Sequence, residues 1–378
     1  CRQDKSDDAM TTALRLTTIA LLFSAFNAFQ LPVFNGPSLG LKASAAATDQ
    51  ATTARYQDAT RQQWGWRGHN IEVLSAGKKG GDPVILVHGF GCSTTYWRRT
   101  IDALAKDTDS EIFAIDLLGQ GNSDKPSDVY YSINLWAELL DDFVEKFPTS
   151  REPAVLAGNS LGSLVALAAA AGDQAKRGGG GSYLSGPGRV KGICMFNCAV
   201  GLNVRGIADA PGWTPLQAGL IRFLLFAFDA VLFNNPFVLS TVLDKVVTKD
   251  LIRGALTKLY LFDPSAVDDE LVDSFFYPAK QAGAAEALRQ IYTNDPGLSP
   301  MALHAKHPTL DAVPIHLVWG VSDAVTPLDN GDVGVFYSRR AADTTKRVSL
   351  DRVDAGHVPM DDNEAASNAA FVRWIRAL

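Results

Sequence analysis

The chain has 378 residues, 47% of them hydrophobic and 20% charged, with a formal net charge of −6. That length and apolar share can bury one large core or two small ones, and the acidic balance gives no footing for nucleic-acid binding. Four cysteines are too few for a disulfide-stapled scaffold.

In chain order a leader comes first. Met10 reads as a start, with Cys1 to Ala9 upstream of it. Arg15, a short apolar run to Phe23 and small residues after it form a signal-peptide pattern, too short to span a bilayer comfortably. Cleavage is expected after Ala25 or Ala28, each followed by phenylalanine. Phe29 to Thr48 carries Lys42 and no acidic residue among Ser, Ala and Gly, which is transit-peptide composition. The two stretches together resemble the bipartite plastid-targeting leaders of algae with complex plastids, and ordinary secretion is the alternative. The leader is expected over residues 1–55, with the fold starting between Tyr56 and Trp64.

Strands and helices then alternate. Trp66 to Ala76 suggests an opening hairpin. Val84–Val87 reads as a strand followed by a helix near Thr94–Lys106, and Ile112–Leu117 as a strand ending in a glycine-rich loop, Gly119-Gln120-Gly121. A helix near Ile133–Phe147 leads to the apolar run Pro153–Ala157. A strand near Val190–Phe196 follows a flexible surface insertion, Gly178–Ser182, which lacks the Lys-Ser/Thr of a phosphate-binding loop. The last strands are expected at Ile315–Trp319 and Arg347–Val353, and the closing helix at Glu364–Leu378. This alternation predicts an α/β class with a mostly parallel sheet and helices on both faces. Residues 56–200 and 307–378 form that core. Between them, residues 201–306 read as helix without strand: a helical cap inserted after the sixth strand, over the strand ends where such sheets bind ligands. Leu220–Phe233 is apolar nearly all round, broken by Arg222 and Asp229. It reads equally as a helix buried between cap and core, or as a greasy wall over the site that docks peripherally on a membrane.

The chemistry is concentrated at Gly158-Asn159-Ser160-Leu161-Gly162. Strand, G-x-S-x-G, then the apolar helix from Ser163 is the context of a nucleophile elbow, with Ser160 as nucleophile on a strained turn. An activated serine needs a base, an orienting acid and an oxyanion hole, the acid and base following in chain order. Among six histidines only His88 and His357 sit beside glycine at a strand end, and only His357 comes late enough to be the base. Asp323, just after the Ile315–Trp319 strand, is the expected acid. Phe90, in His88-Gly89-Phe90-Gly91, and Leu161 are the expected oxyanion donors through their N–H groups. Gly89, Gly91, Asn159, Phe223 and Phe226 are expected to line the substrate pocket. His88 reads as structural, and His304 and His307 lack the carboxylate-rich company of a metal site. Cys194 and Cys198 read as core residues. Cys92 borders the oxyanion loop as a candidate modifiable thiol. No cofactor or metal is called for.

From Trp64 onward these motifs, in this order, resemble the α/β-hydrolase superfamily. Asn159, Asn197–Asn203, Tyr277-Pro278-Ala279 and Trp319–Asp329 narrow the likeness to the plastid hydrolases that include chlorophyll dephytylase and pheophytinase. Ser163 departs from the glycine that many relatives carry there. The resemblance implies serine-dependent hydrolysis of a hydrophobic ester, namely the phytyl ester of chlorophyll or pheophytin, in a plastid, near thylakoids. The alternatives are a general lipase or carboxylesterase acting on lipid esters, and a small-molecule receptor of the same fold with little turnover. Ser160 argues against the epoxide hydrolases, which place Asp at the nucleophile.

Overall fold

The computed structural model describes residues 59–177, 188–202, 233 and 235–378. Eight strands form one sheet in the order β1-β2-β4-β3-β5-β6-β7-β8. They are β1 (Thr60–Trp66), β2 (His69–Gly77), β3 (Pro83–Val87), β4 (Glu111–Ile115), β5 (Ala154–Asn159), β6 (Val190–Phe196), β7 (Ile315–Gly320) and β8 (Val348–Val353). β2 runs antiparallel to both β1 and β4, and from β4 to β8 all pairs are parallel. The opening hairpin lies earlier than the sequence suggests. Its two-residue turn is Arg67-Gly68, both at positive φ, so Trp66 ends the first strand and pairs with His69.

The central parallel strands β3 to β6 are buried on both faces, which is the pattern of a sheet covered on both sides, while the edge strand β8 is only partly buried. Their alternation splits the core in two. Ile85, Val87, Phe113, Ile115, Leu156, Met195 and Leu317 face one apolar layer. It is closed by α1 (Ile133–Lys146) and α2 (Leu161–Arg177), with Val333 and Tyr337 from a later helix. Val84, Leu86, Ile112, Val155, Ala157, Cys194, Phe196 and Val318 face the other, which holds Ile101, Leu104 and Phe371.

Between β6 and β7 the described residues form helices Pro236–Thr241, Lys249–Leu256, Asp269–Ala279, Ala284–Thr293 and Pro300–Lys306, and no strand. This segment is tied to the core near the strand ends. Arg98, fully buried, binds Asp361 and Asp268 and the carbonyl of Ala266. Asp362 accepts from the N–H groups of Leu261, Phe262 and Asp263 and from Gly356 beside the His357 loop. Lys125, in the loop after β4, donates to Gln281. No helix among the described residues is long and apolar enough to cross a membrane.

The chain leaves β3 toward β4 on one side and then crosses to β5 on the other. That reversal opens a crevice at the carboxyl ends of β3 and β5, the place where such sheets bind ligands. His88-Gly89-Phe90 and Ser160 stand there.

Candidate active site

Ser160 sits at φ 52 between β5 and α2, a left-handed conformation that costs a non-glycine residue of order 1–3 kcal/mol. Its two flanking glycines make the turn possible. A Cβ at Gly158 would stand 2.2 Å from the Gly162 carbonyl carbon, and one at Gly162 would stand 2.0 Å from the Val87 carbonyl oxygen. The turn is locked on its far side, where Ser160 N–H donates to the Phe196 carbonyl at 2.9 Å. Ser163 fits its buried position because its hydroxyl donates to the Gly158 carbonyl at 2.6 Å.

Asp323 and His357 meet at the ends of β7 and β8, with Asp323 Oδ2 and His357 Nδ1 2.8 Å apart. Burial pushes the Asp323 carboxyl up, but the adjacent His357 ring and hydrogen bonds from Asn197 and Thr326 outweigh it and hold the group at about 2. An ionised Asp323 assigns the proton of the pair to His357 Nδ1 and leaves Nε2 as an acceptor. Asn159 joins this pair to the nucleophile strand: its Nδ2 donates to the carbonyls of Phe196 and His357, each at 3.1 Å. Among the described residues no hydrogen bond reaches Ser160 Oγ, a common state before substrate aligns the pair.

Two N–H groups point to an oxyanion hole. Leu161 opens a long helix, where the first N–H groups lack intrahelical partners and the dipole is positive. Phe90 follows Gly89, whose added Cβ would lie 3.4 Å from Ser160 Cβ, so this loop passes directly beside the nucleophile. Neither N–H has an acceptor among the described residues. The loop is fixed by His88, which donates through Nδ1 to the Gly89 carbonyl and accepts the Leu117 N–H at Nε2. Burial pushes the His88 ring down to about 4, so it is neutral in this role.

Two expectations need correction, for Asn159 and Cys92. Asn159 does not line a pocket: it is 1% exposed and both its bonds run into the protein beneath the site. Gly91 is exposed, with open space where a Cβ would stand, and its N–H donates to Gln120 Oε1 at 2.6 Å. Cys92 is buried, and that burial pushes its thiol up to about 12, so it is no reactive thiolate at neutral pH. Phe223 and Phe226 lie outside the described residues. His304 is buried beside Tyr337, and no group of His, Cys, Asp or Glu among the described residues could hold a metal.

Asn197 carries a role that sequence reasoning missed. It stands at φ 49 directly after β6, in a conformation that asparagine tolerates better than most residues. Its Nδ2 donates to Asp323 Oδ2 at 2.5 Å and its Oδ1 accepts from Gly320 N–H at 3.0 Å. One side chain therefore fixes both the acid and the strand end that presents it.

The model of the alpha/beta hydrolase family matches residues 84–370, and the protein belongs to that family. Among curated relatives, 2-hydroxymuconate semialdehyde hydrolase from Pseudomonas sp. (strain CF600) is 29% identical over 43% of this chain and 56% of its own length. A probable lysophospholipase of Arabidopsis thaliana, BODYGUARD 5, is 33% identical over 27% of this chain and 24% of its own. The chain thus spans about half of the first relative and a quarter of the second. Among solved structures, the epoxide hydrolase CorEH matches 85% of this chain and 99% of its own, with TM-score 0.60 and 19% identity. A lipase-like protein from Acinetobacter baumannii AYE matches 88% of this chain and 98% of its own, with TM-score 0.60 and 18% identity. At that identity the likeness concerns the fold.

Proposed function

We propose that the protein is a serine hydrolase of carboxylic esters with Ser160, His357 and Asp323 as its triad. The observation that carries this reading is the 2.8 Å Asp323–His357 bond, tied through Asn159 to a serine strained at φ 52. His357 Nε2 takes the Ser160 proton as Oγ attacks the ester carbonyl carbon. The carbonyl electrons move onto oxygen, where the N–H groups of Phe90 and Leu161 meet the charge. On collapse the alcohol leaves with the proton from His357, and Ser160 remains acylated. Water then gives its proton to His357 and attacks the acyl carbon, releasing the acid and restoring Ser160.

For the substrate we propose the phytyl ester of chlorophyll or pheophytin, on the sequence resemblance of Asn159, Asn197–Asn203 and Trp319–Asp329. A plastid location is proposed with it, on the composition of residues 10–48. A lysophospholipid ester is the second reading, favoured by the local likeness to the probable lysophospholipase BODYGUARD 5. Peripheral contact of the cap with a membrane suits either substrate.

The test is product chromatography after incubation with detergent-dispersed chlorophyll, pheophytin, a lysophosphatidylcholine and a short-chain aryl ester, beside Ser160→Ala. Loss on the order of 10⁴-fold in the variant, with unchanged melting, is expected. Serine-dependent chlorophyllide or pheophorbide supports the pigment ester, and released fatty acid supports the lipid ester. Aryl-ester hydrolysis that survives in Ser160→Ala would overturn the nucleophile.

A further inference from the structure

Asp362 follows shortly after the proposed base and is 1% exposed. Its donors are all backbone N–H groups, and they come from two separate stretches of chain. Oδ2 accepts from Gly356 at 2.6 Å and from Leu261 at 3.1 Å. Oδ1 accepts from Phe262 at 3.0 Å and from Asp263 at 2.8 Å. Gly356 immediately precedes His357, whereas residues 259–263 belong to the helical segment between β6 and β7.

Those residues lie directly against the His357 loop. The His357 N–H donates to the Leu259 carbonyl at 3.1 Å, and a Cβ on Gly356 would stand 2.1 Å from that same oxygen. A closed ring of hydrogen bonds results. It runs from His357 N–H to Leu259, along the chain to residues 261–263, through the Asp362 carboxylate and back to Gly356. The His357 carbonyl is held separately, by Asn159 Nδ2 at 3.1 Å. The backbone of the base is thus fixed at its carbonyl by the nucleophile strand and at its N–H by residues 259–263. Tyr260 is fully buried and anchors the start of that stretch, but Leu261 and Phe262 turn half of their surface to solvent. Apolar burial is weak there, and the bonds to Asp362 supply the rest of the hold.

Under the ester-hydrolase reading above, on which this inference rests, His357 Nε2 must reach the Ser160 hydroxyl and then the oxygen of the leaving alcohol. A misplacement of about 1 Å is enough to spoil such reach. We propose that Asp362 is a positioning residue for His357: it closes the ring that clamps residues 259–263 onto the base. It acts through the backbone alone, and no proton or covalent step is assigned to it.

Two substitutions attack the ring from opposite ends. Asp362→Asn keeps the shape, but both carboxylate oxygens accept from N–H groups, so an amide sets its own N–H groups against donors on one side. Gly356→Ala leaves Asp362 intact and drives the Leu259 carbonyl away from the loop. The readout is kcat/KM on 4-nitrophenyl butyrate and on phenyl butyrate. Nitrophenolate leaves without a proton, whereas phenolate is the stronger base and gains more from a well-placed acid, so a displaced His357 costs more on the phenyl ester. The ratio of the two rates does not depend on how much of a variant is folded, so lost stability cannot produce the effect. Asp362→Asn is expected to fall about 10-fold on the nitrophenyl ester and about 100-fold on the phenyl ester, with the ratio moving the same way in Gly356→Ala. Should Asp362→Asn fail to fold, Gly356→Ala decides the matter. A wild-type ratio in an active variant, whatever its melting temperature, would leave Asp362 a clamp on the fold alone and overturn the proposal. A wild-type protein inert to both esters, and to a fluorophosphonate aimed at Ser160, would instead remove the hydrolase reading, and the assignment of Asp362 with it.

Discussion

The acid of the proposed triad depends on one neighbour. Asp323 Oδ2 takes hydrogen bonds from His357, Asn197 and Thr326, while Oδ1 takes the Val325 N–H. Every oxygen is thus aimed, and the carboxylate has one direction left in which to hold His357. Asn197→Asp keeps an oxygen for Gly320 and still tolerates positive φ. It replaces the donor to Asp323 with a second negative charge, and like charges raise each other's pKa. Asn197→Gly removes the donor without adding charge. The expected order of kcat on an aryl ester is wild type, then Gly, then Asp, with the Asp variant down on the order of 100-fold. The acid limb of its pH profile should move to higher pH, because the added negative charge favours the protonated, inactive form of the Asp323–His357 pair. A kcat and acid limb unchanged in Asn197→Asp would remove Asn197 from the mechanism.

At the scale of elements, the joint between the helical segment that separates β6 from β7 and the core is ionic, with a buried pair at its centre. Arg98 and Asp361 are both fully buried, and Tyr260 and Arg99 complete the shell of Asp361. Removing one partner of a buried pair leaves an uncompensated charge, which costs about 3–5 kcal/mol. Arg98→Met should lower the urea midpoint by that equivalent, and Arg98→Met with Asp361→Leu should recover at least half. A single variant within about 1 kcal/mol of wild type would mean that Arg99 alone satisfies Asp361. This joint also shows where sequence reading stops. Strands β3 to β8 and the positions of Ser160, Asp323 and His357 could be read because apolar runs, turn glycines and chain order are local signals. Arg98 and Asp361 are 263 positions apart, and nothing local pairs them. Asn197 carries no local signal of its role, since its partner is set by which strand lies beside β6. Asn159 was misplaced for the same reason: its short polar side chain at a strand end suits a pocket or a brace equally until β6 and the His357 loop are in position.

Across the whole molecule, acid stability is set by histidines before carboxylates. His88 lies behind the oxyanion loop, His316 inside β7 stacked on Trp374, and His304 in the helix before β7. Burial is the main cause that pushes each of the three down to about 4. In the unfolded chain a histidine takes its proton near pH 6.5. Between those values each of these histidines binds more protons in the unfolded state, so its contribution rises with pH. Asp116, pushed by burial up to about 6, opposes them in part by taking its proton earlier in the folded state. The histidine contribution is complete above about pH 6.5 and is lost as pH falls toward 4, at up to about 1.4 kcal/mol per pH unit for each residue. Asp323, held at about 2, adds its loss only below the ordinary carboxylate range. Urea unfolding at pH 7.5, 6, 5 and 4.5 should show the decline beginning above pH 5, and His316→Gln should flatten it. Equal stability at pH 7.5 and 4.5 would refute the account. Activity should fail for a separate reason only near pH 4, where His88 takes its proton in the folded protein. Protonated His88 can no longer accept the Leu117 N–H, and the loop that presents Phe90 then loses the bond tying it to the end of β4.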